Sequence, residues 1–122
     1  MKYIKLFENF DKLKELCSQN LAYLLDDNFY YYIDNSDSPD YIRIELYKND
    51  FDEDGDPNGF YWSEVSDDYE VLIDLLPEYN YIIEEIVIIY TDGQDNLINN
   101  EILNIKIDDD RLITDIKMYI KK

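Results

Sequence analysis

Residues 50–58 have the composition and spacing of a calcium-binding loop. Asp50, Asp52 and Asp54 recur at every second position and Gly55 follows them, as in the first half of such a loop. Ca²⁺ takes about six to eight oxygen ligands, and the glycine allows the sharp turn that brings them together. The candidate ligands are the side chains of Asp50, Asp52, Asp54, Asp56 and Asn58. Tyr61 stands where such a loop has its bidentate carboxylate, so the sequence leaves open either a calcium site or a solvated acidic loop.

The residue types needed for most enzymatic chemistry are missing. The chain has no histidine, which removes the commonest general base and metal ligand. Its single cysteine, Cys17, falls on the apolar stripe of a predicted helix, which favours a buried structural thiol over a nucleophile. No phosphate-binding loop, nucleophile elbow or zinc-type spacing occurs. We therefore expect no enzymatic activity and no cofactor, with calcium as the one exception left open.

Glu84 and Glu85 interrupt the apolar segment formed by residues 81–90. Adjacent residues of a strand point to opposite faces of a sheet, so one glutamate is expected on the helix-covered side. A buried carboxylate needs a partner, which Arg43 or Lys117 could provide from a neighbouring strand. We therefore predict a structural role for this pair.

Two helices are predicted to position these residues. The first covers residues 11–27, with Asn9 or Asp11 as its N-cap and Asn28 in the left-handed conformation after it. The second covers residues 67–76, capped by Ser66 and ended by Pro77. Their apolar stripes consist of Leu13, Leu16, Cys17, Leu21, Leu24 and Leu25, and of Tyr69, Leu72, Ile73 and Leu76.

Five segments have the pattern of β-strands. Phe29–Asp34 and Tyr41–Lys48 form a predicted hairpin, with Ile42, Ile44 and Leu46 on one face of the second strand. Residues 81–90 are predicted to form a central strand covered on both faces, next to residues 112–120, which repeat their pattern. Residues 102–107 form the remaining strand, after a turn at Asp92 and Gly93. The order α-β-β-α-β-β-β predicts an α+β, two-layer domain with a mainly antiparallel five-stranded sheet and two helices.

The charge balance limits the partners of this domain. A chain of 122 residues is one domain, and its net charge is −18, from 29 acidic and 11 basic residues. Such a surface repels nucleic acid and anionic membranes and favours basic proteins or cations. The single cysteine fits a reducing compartment, and neither a signal peptide nor a membrane span is predicted.

The charge is also unevenly distributed along the chain. Residues 1–25 have a net charge of +1 and residues 117–122 a net charge of +3, so residues 26–116 carry −22. The predicted interaction surface consists of Asp52, Glu53, Asp54, Asp56, Asp67, Asp68, Asp108, Asp109 and Asp110.

The first ten residues, MKYIKLFENF, combine lysines with an apolar set that includes Ile4, Leu6 and Phe7. This opening resembles the start of many small proteins of large tailed phages, especially phages of Bacteroidetes-type hosts. It also resembles the N-terminal capsid-targeting peptides of internal phage proteins. The resemblance covers about ten residues and implies a phage origin, without any catalytic or binding residue to carry over. Residues 1–10 are therefore predicted to be an amphipathic docking peptide, or else a first helical turn or edge strand, and residues 11–122 the acidic α+β domain.

Two classes of function fit these features. The first is a non-enzymatic nucleic-acid mimic that acts by protein–protein interaction and inhibits a basic host nuclease or defence protein in the host cytoplasm. The second is a structural or packaged component of a phage particle that binds phage structural proteins through residues 1–10. A calcium-binding module is a further alternative, and the acids could also serve only for solubility.

Overall fold

The computed structural model describes residues 2–35, 40–91, 95–99 and 110–121, and the side chains of residues 10–35, 40–91 and 110–121. The helices are α1 (Lys2–Asn20), α2 (Ala22–Leu25), a 3₁₀ turn (Trp62–Glu64) and α3 (Ser66–Glu78). The strands are β1 (Phe29–Asp34), β2 (Tyr41–Lys48), β3 (Ile83–Tyr90), β4 (Asp95–Asn99) and β5 (Ile113–Lys121). The α+β class is confirmed. The predicted strand at residues 102–107 and the predicted turn at residues 92–93 lie outside the described residues.

The strands form one antiparallel sheet in the order β1-β2-β5-β3-β4. The predicted hairpin of β1 and β2 is confirmed, with Phe29 opposite Lys48 and Ile33 opposite Ile44. The predicted pairing of the two segments with similar patterns is confirmed too, because β3 and β5 are neighbours. β4 pairs with the outer side of β3 and was not predicted as a strand.

The first helix begins nine residues earlier than predicted. α1 starts at Lys2 and runs through both predicted N-cap residues, so that prediction was wrong. The helix is interrupted at Leu21, which is buried, as is Leu24 of α2. Leu25, predicted on the buried stripe, is instead 45% exposed. The left-handed conformation predicted for Asn28 is confirmed, with φ of 68°.

The bounds of α3 differ from the prediction by one or two residues. Its N-cap is Val65 and makes no side-chain cap hydrogen bond, so Ser66 already belongs to the helix. Pro77 lies inside the last turn, and the chain leaves the helix only before Asn80, which has φ of 67°. Helix ends commonly shift by this amount, because terminal turns lack part of their hydrogen bonding.

The core lies between the helices and one face of the sheet. Leu13, Leu16 and Cys17 of α1 and Leu72 and Leu76 of α3 are buried there. The strands contribute Phe29, Ile42, Ile44, Leu46, Ile83, Ile86, Ile88, Tyr90, Ile113, Ile116, Met118 and Ile120. The opposite face of β3, with Val87 and Ile89, is only half-buried, so the prediction of a strand covered on both faces was wrong. The described helices pack on one side of the sheet only.

Two β-bulges interrupt the alternation of side chains between the two faces of the sheet that the sequence predicts. Ile83 of β3 lies opposite Ile120, whereas Glu85 lies opposite Tyr119, so Glu84 is an extra residue in β3. Both glutamates are consequently half-exposed, and neither is on the helix-covered side as predicted. The second register shift makes Thr114 an extra residue in β5. For that reason Ile113 is buried, whereas Thr114 and Asp115 are only half-buried.

Candidate functional site

The sheet topology brings the most acidic connections together at one end of the molecule. Phe29 lies opposite Lys48, Tyr47 lies opposite Asp115, and Tyr90 lies opposite Ile113. The start of β1, the end of β2, the start of β5 and the end of β3 are therefore at the same end of the sheet. The residues leading into β1 and β5 and the long segment that follows β2 all lie here.

We call this region the acidic end. Its carboxylates come from segments that are far apart in the chain: Asp26, Asp27, Asp50, Asp52, Glu53, Asp54, Asp56, Glu64, Asp67, Asp68 and Asp110. Most of them are exposed, and Asp68 is half-buried. The set includes seven residues of the predicted interaction surface. Asp108 and Asp109 lie outside the described residues. Asp26 and Asp27 were missed, since only the hairpin pairing places them beside the acidic loop.

The described basic residues at the acidic end are held by internal contacts. Lys48 Nζ lies 3.0 Å from Glu64 Oε1 and 5.3 Å from the centre of the Phe29 ring. The Arg111 guanidinium lies 3.6 Å from the centre of the Tyr90 ring. Residues 49–105 contain neither lysine nor arginine. The surface of this end therefore carries a concentrated negative charge.

Three of the five predicted calcium ligands, Asp50, Asp52 and Asn58, use their side chains to shape the loop. Asp52 Oδ1 accepts hydrogen bonds from the backbone N–H groups of Asp54 and Asp56, each at 2.9 Å. The Asn58 amide donates to Asp50 Oδ1 at 3.1 Å. Among the residues whose placement is described, no three acidic or cysteine side chains converge as a metal site. What the structure shows is thus a folded acidic turn stabilised by its own carboxylates.

The acidic loop is anchored to β5. Phe60 N–H donates to the Ile113 carbonyl oxygen at 2.9 Å, and Ile113 N–H donates to the Phe60 carbonyl oxygen at 2.7 Å. The buried Phe60 ring lies 5.0 Å from the Phe29 ring, almost perpendicular to it. Gly59 has φ of 84°, and a Cβ there would lie 2.9 Å from Thr91 Cγ2 and 3.0 Å from the Ile113 carbonyl oxygen. These contacts fix the loop's position relative to the sheet.

The sheet face opposite the helices, called here the open face, is rich in tyrosine. Tyr30 and Tyr32 on β1 flank Tyr47 on β2, with ring centres 6.0 and 6.3 Å from it. Tyr41 and Tyr119 form a further pair on β2 and β5. The open face is therefore aromatic along β1, β2 and the end of β5. Cross-strand packing accounts for its contacts along β1 and β2.

A charged network occupies the middle of the open face. Lys117 Nζ lies 3.6 Å from Glu45 Oε1 and 4.0 Å from Asp115 Oδ2, and the Tyr32 hydroxyl donates to Glu45 Oε2. Burial raises the pKa of Glu45, the nearby Asp115 carboxylate raises it further, and Lys117 opposes the change. Lys117 thus pairs with Glu45 and Asp115, and the ion pair recorded for Arg43 is with Asp34 at 3.4 Å.

Two recesses lined by described residues open on this face. One has a volume of about 400 Å³ and borders the acidic loop; its lining is Tyr32, Glu45, Tyr47, Lys48, Phe51, Pro57, Thr114 and Asp115. The other has a volume of about 430 Å³ and lies at the far end, between Tyr41, Glu84, Glu85 and Tyr119.

Cys17 is fully buried, as predicted, and burial raises its pKa to about 12. Its thiolate is therefore a negligible fraction at neutral pH.

None of the helices in the described part of the chain is long and apolar enough to cross a membrane. Comparison with known proteins found no matching family model, no matching curated protein and no matching solved structure. The functional argument therefore depends on the residues and their arrangement.

Proposed function

We propose that this protein is a non-enzymatic interaction module that binds a basic protein through its acidic end, in place of nucleic acid. The observation that carries the proposal is the concentration of carboxylates at the acidic end. Carboxylates from distant segments gather there, and Lys48 and Arg111 are engaged internally. The opposite end carries both signs of charge, with Lys12 and Lys121 as well as Glu84 and Glu85.

The size of the acidic end suits a nucleic-acid-binding groove. Five strands spaced about 4.8 Å apart span roughly 19 Å between the outer two. A DNA duplex of that length carries about 11 phosphate charges, which is comparable to the number of carboxylates at the acidic end. A protein that holds phosphates with lysine and arginine would meet a similar density of negative charge here. The partner class is accordingly a nuclease or another protein that grips nucleic acid.

The test compares two variants with the same change of charge at different places. Glu53→Lys with Asp54→Lys reverses two exposed charges of the acidic loop, and it spares Asp52, whose carboxylate shapes the loop. Asp74→Lys with Glu78→Lys reverses two exposed charges along α3 and serves as the control. Immobilised full-length protein and both variants are used to capture partners from a cell lysate. Association rates of the recovered partner are then measured from about 0.05 to 0.5 M salt, with and without duplex DNA.

We expect the acidic-loop variant to associate about tenfold more slowly than the control, because long-range charge attraction sets the encounter rate. Binding should weaken steeply with salt, and DNA should compete. A partner that binds equally well at 0.5 M salt and ignores DNA would refute the mimic proposal. Recovery of phage structural proteins with such salt-independent binding would favour the alternative of a particle component.

A further inference from the structure

We propose that the recess between Tyr41, Glu84, Glu85 and Tyr119 is a binding site for the guanidinium group of an arginine side chain on a partner. The recess lies at the far end of the open face from the acidic end, since Tyr41 begins β2 and Tyr119 is near the end of β5. It is therefore a separate site, and it can be tested independently of the proposed function.

Two tyrosine rings form one side of the site. The Tyr41 and Tyr119 rings have centres 6.4 Å apart and planes at 84°, so they make an aromatic corner. Tyr41 is 38% exposed and Tyr119 is half-buried, so the corner is accessible to solvent. A cation within about 6 Å of such a ring centre is attracted by the negative face of the π-system.

Two carboxylates form the other side of the site. Glu85 lies directly opposite Tyr119 across the β3–β5 pairing. Glu84 reaches the same recess because it is the extra residue of the β-bulge, which places two consecutive glutamates on the open face. An unbulged strand would send one of them to the core side.

The combination of walls selects among cations. Guanidinium is planar, stacks on aromatic rings and donates paired hydrogen bonds to a carboxylate. A lysine ammonium group would interact with the rings and the carboxylates only as a point charge, without stacking or paired hydrogen bonds. Hard metal ions prefer about six to eight oxygen ligands, and no group of three acidic or cysteine side chains converges in the described part of the chain. An arginine side chain is therefore the ligand that uses both kinds of wall.

The described residues that line the recess include neither lysine nor arginine. The guanidinium of Arg43 lies 5.7 Å from the Tyr32 ring centre and pairs with Asp34, towards β1. Lys117 pairs with Glu45 and Asp115 near the other recess. Arg43 and Lys117 are thus directed to other acids, and the exposed Lys121 lies on the same face directly opposite Tyr41.

The site can be probed with Nα-acetyl-arginine amide, using Nα-acetyl-citrulline amide as the uncharged control of the same shape. Each compound is titrated into the isotope-labelled full-length protein, and backbone amide shifts are followed by NMR. We expect saturable shifts centred on the start of β3 and the end of β5, with arginine binding at least about fivefold more tightly than citrulline. Equal binding of the two compounds, or arginine shifts confined to the acidic end, would overturn the proposal.

Variants distinguish an aromatic and acidic site from general charge attraction. Tyr119→Leu and Glu85→Gln should each weaken arginine binding about threefold or more, whereas Tyr119→Phe should keep it because the ring remains. Glu78→Gln, an exposed carboxylate on α3, controls for the loss of one charge. If Tyr119→Leu does not fold, Tyr41→Leu replaces it at a more exposed position. Equal losses in Tyr119→Phe and Tyr119→Leu, or in Glu78→Gln and Glu85→Gln, would refute the site.

Discussion

The hydroxyl of Tyr69 is buried and has no hydrogen-bond partner among the described groups. The ring packs almost perpendicular to Trp62, with centres 5.8 Å apart, and its burial is complete. Burial raises the pKa of Tyr69, and the neighbouring Cys17 thiol raises it further when ionised, so the phenol stays neutral. The ring contributes apolar contacts, but its hydroxyl loses its hydrogen bonds to water and gains none from the described groups of the protein.

Tyr69→Phe should therefore stabilise the protein. The substitution keeps the ring and removes the unsatisfied group, so the free energy of unfolding should rise by about 1 kcal/mol. Denaturant unfolding followed by far-ultraviolet circular dichroism measures the change. Tyr81→Phe is the matched control: burial also raises the pKa of Tyr81, but its hydroxyl has a hydrogen bond to the Leu13 backbone, which partly opposes that rise. A loss of stability in Tyr69→Phe would show that the hydroxyl has a partner after all, such as a buried water.

Glu45 should make stability depend on pH. Its pKa is raised in the folded protein above the ordinary value of 4.5, first by burial and then by Asp115. The folded state therefore binds the Glu45 proton more tightly than the unfolded state does. The resulting stabilisation is present below pH 4.5 and is lost as the pH rises through the raised pKa of the folded state. The free energy of unfolding of the wild type minus that of Glu45→Gln should therefore fall as the pH rises through this window. Above the window the difference should stay constant.

Unfolding at a series of pH values from about 4 to 7 tests this expectation. Glu78→Gln removes one exposed carboxylate and controls for the general change of net charge. A difference between wild type and Glu45→Gln that stays constant with pH, or that changes in the opposite direction, would contradict the assignment.

At the scale of elements, alanine substitution of the two loop glycines distinguishes the cost of backbone strain from the cost of steric contacts. Gly55 and Gly59 have nearly the same positive φ, 83° and 84°. A Cβ on Gly55 would have nothing within 4 Å, whereas a Cβ on Gly59 would lie within 3.1 Å of three atoms at the start of β5 and the end of β3. Gly55→Ala should cost about 1 kcal/mol from its backbone conformation alone. Gly59→Ala should cost roughly 1–3 kcal/mol more, because the loop must move away from the sheet.

Thermal and denaturant unfolding of both alanine variants give the comparison. Equal losses would mean that the contacts of Gly59 relax without cost. A loss larger for Gly55→Ala than for Gly59→Ala would show that the acidic loop is not docked as described.

The N-terminal part of α1 should be dispensable for folding. The described buried stripe of this helix starts at Leu13, so a protein lacking residues 1–8 should still unfold cooperatively, with a loss well below that of Leu13→Ala. Leu13 is fully buried, and its truncation should cost about 2–5 kcal/mol. Unfolding of the two variants side by side measures this difference. A deletion as costly as Leu13→Ala would place residues 1–8 in the core.

At the scale of the whole molecule, net charge should set the salt dependence of stability. The protein has a net charge of −18, and its like charges are closer together in the folded state than in the unfolded chain. Their mutual repulsion therefore destabilises the folded state. Raising the ionic strength from about 0.01 to 0.15 M shortens the screening length from about 30 to 8 Å, so the melting temperature should rise with sodium chloride. The Glu53→Lys, Asp54→Lys variant, with charge −14, should show a smaller rise. A melting temperature that falls with salt would mean that ion pairs outweigh the repulsion.

The sequence by itself determined the parts that depend on local periodicity. The apolar positions of β2 alternate without interruption, and all three predicted core residues, Ile42, Ile44 and Leu46, are buried. The stripe from Leu13 to Leu24 determined the buried face of the first helix, and the composition determined the net charge. These features follow from side-chain spacing within one element, which tertiary contacts do not change.

The tertiary structure decided what depends on pairing between distant strands. Whether Glu84 and Glu85 face the same side depends on a bulge, and the bulge is visible only in the register of β3 against β5. The gathering of Asp27, Asp52 and Asp110 at one end likewise depends on the strand order β1-β2-β5-β3-β4. Register and strand order are set by the sum of many cross-strand contacts, and no single segment carries that information.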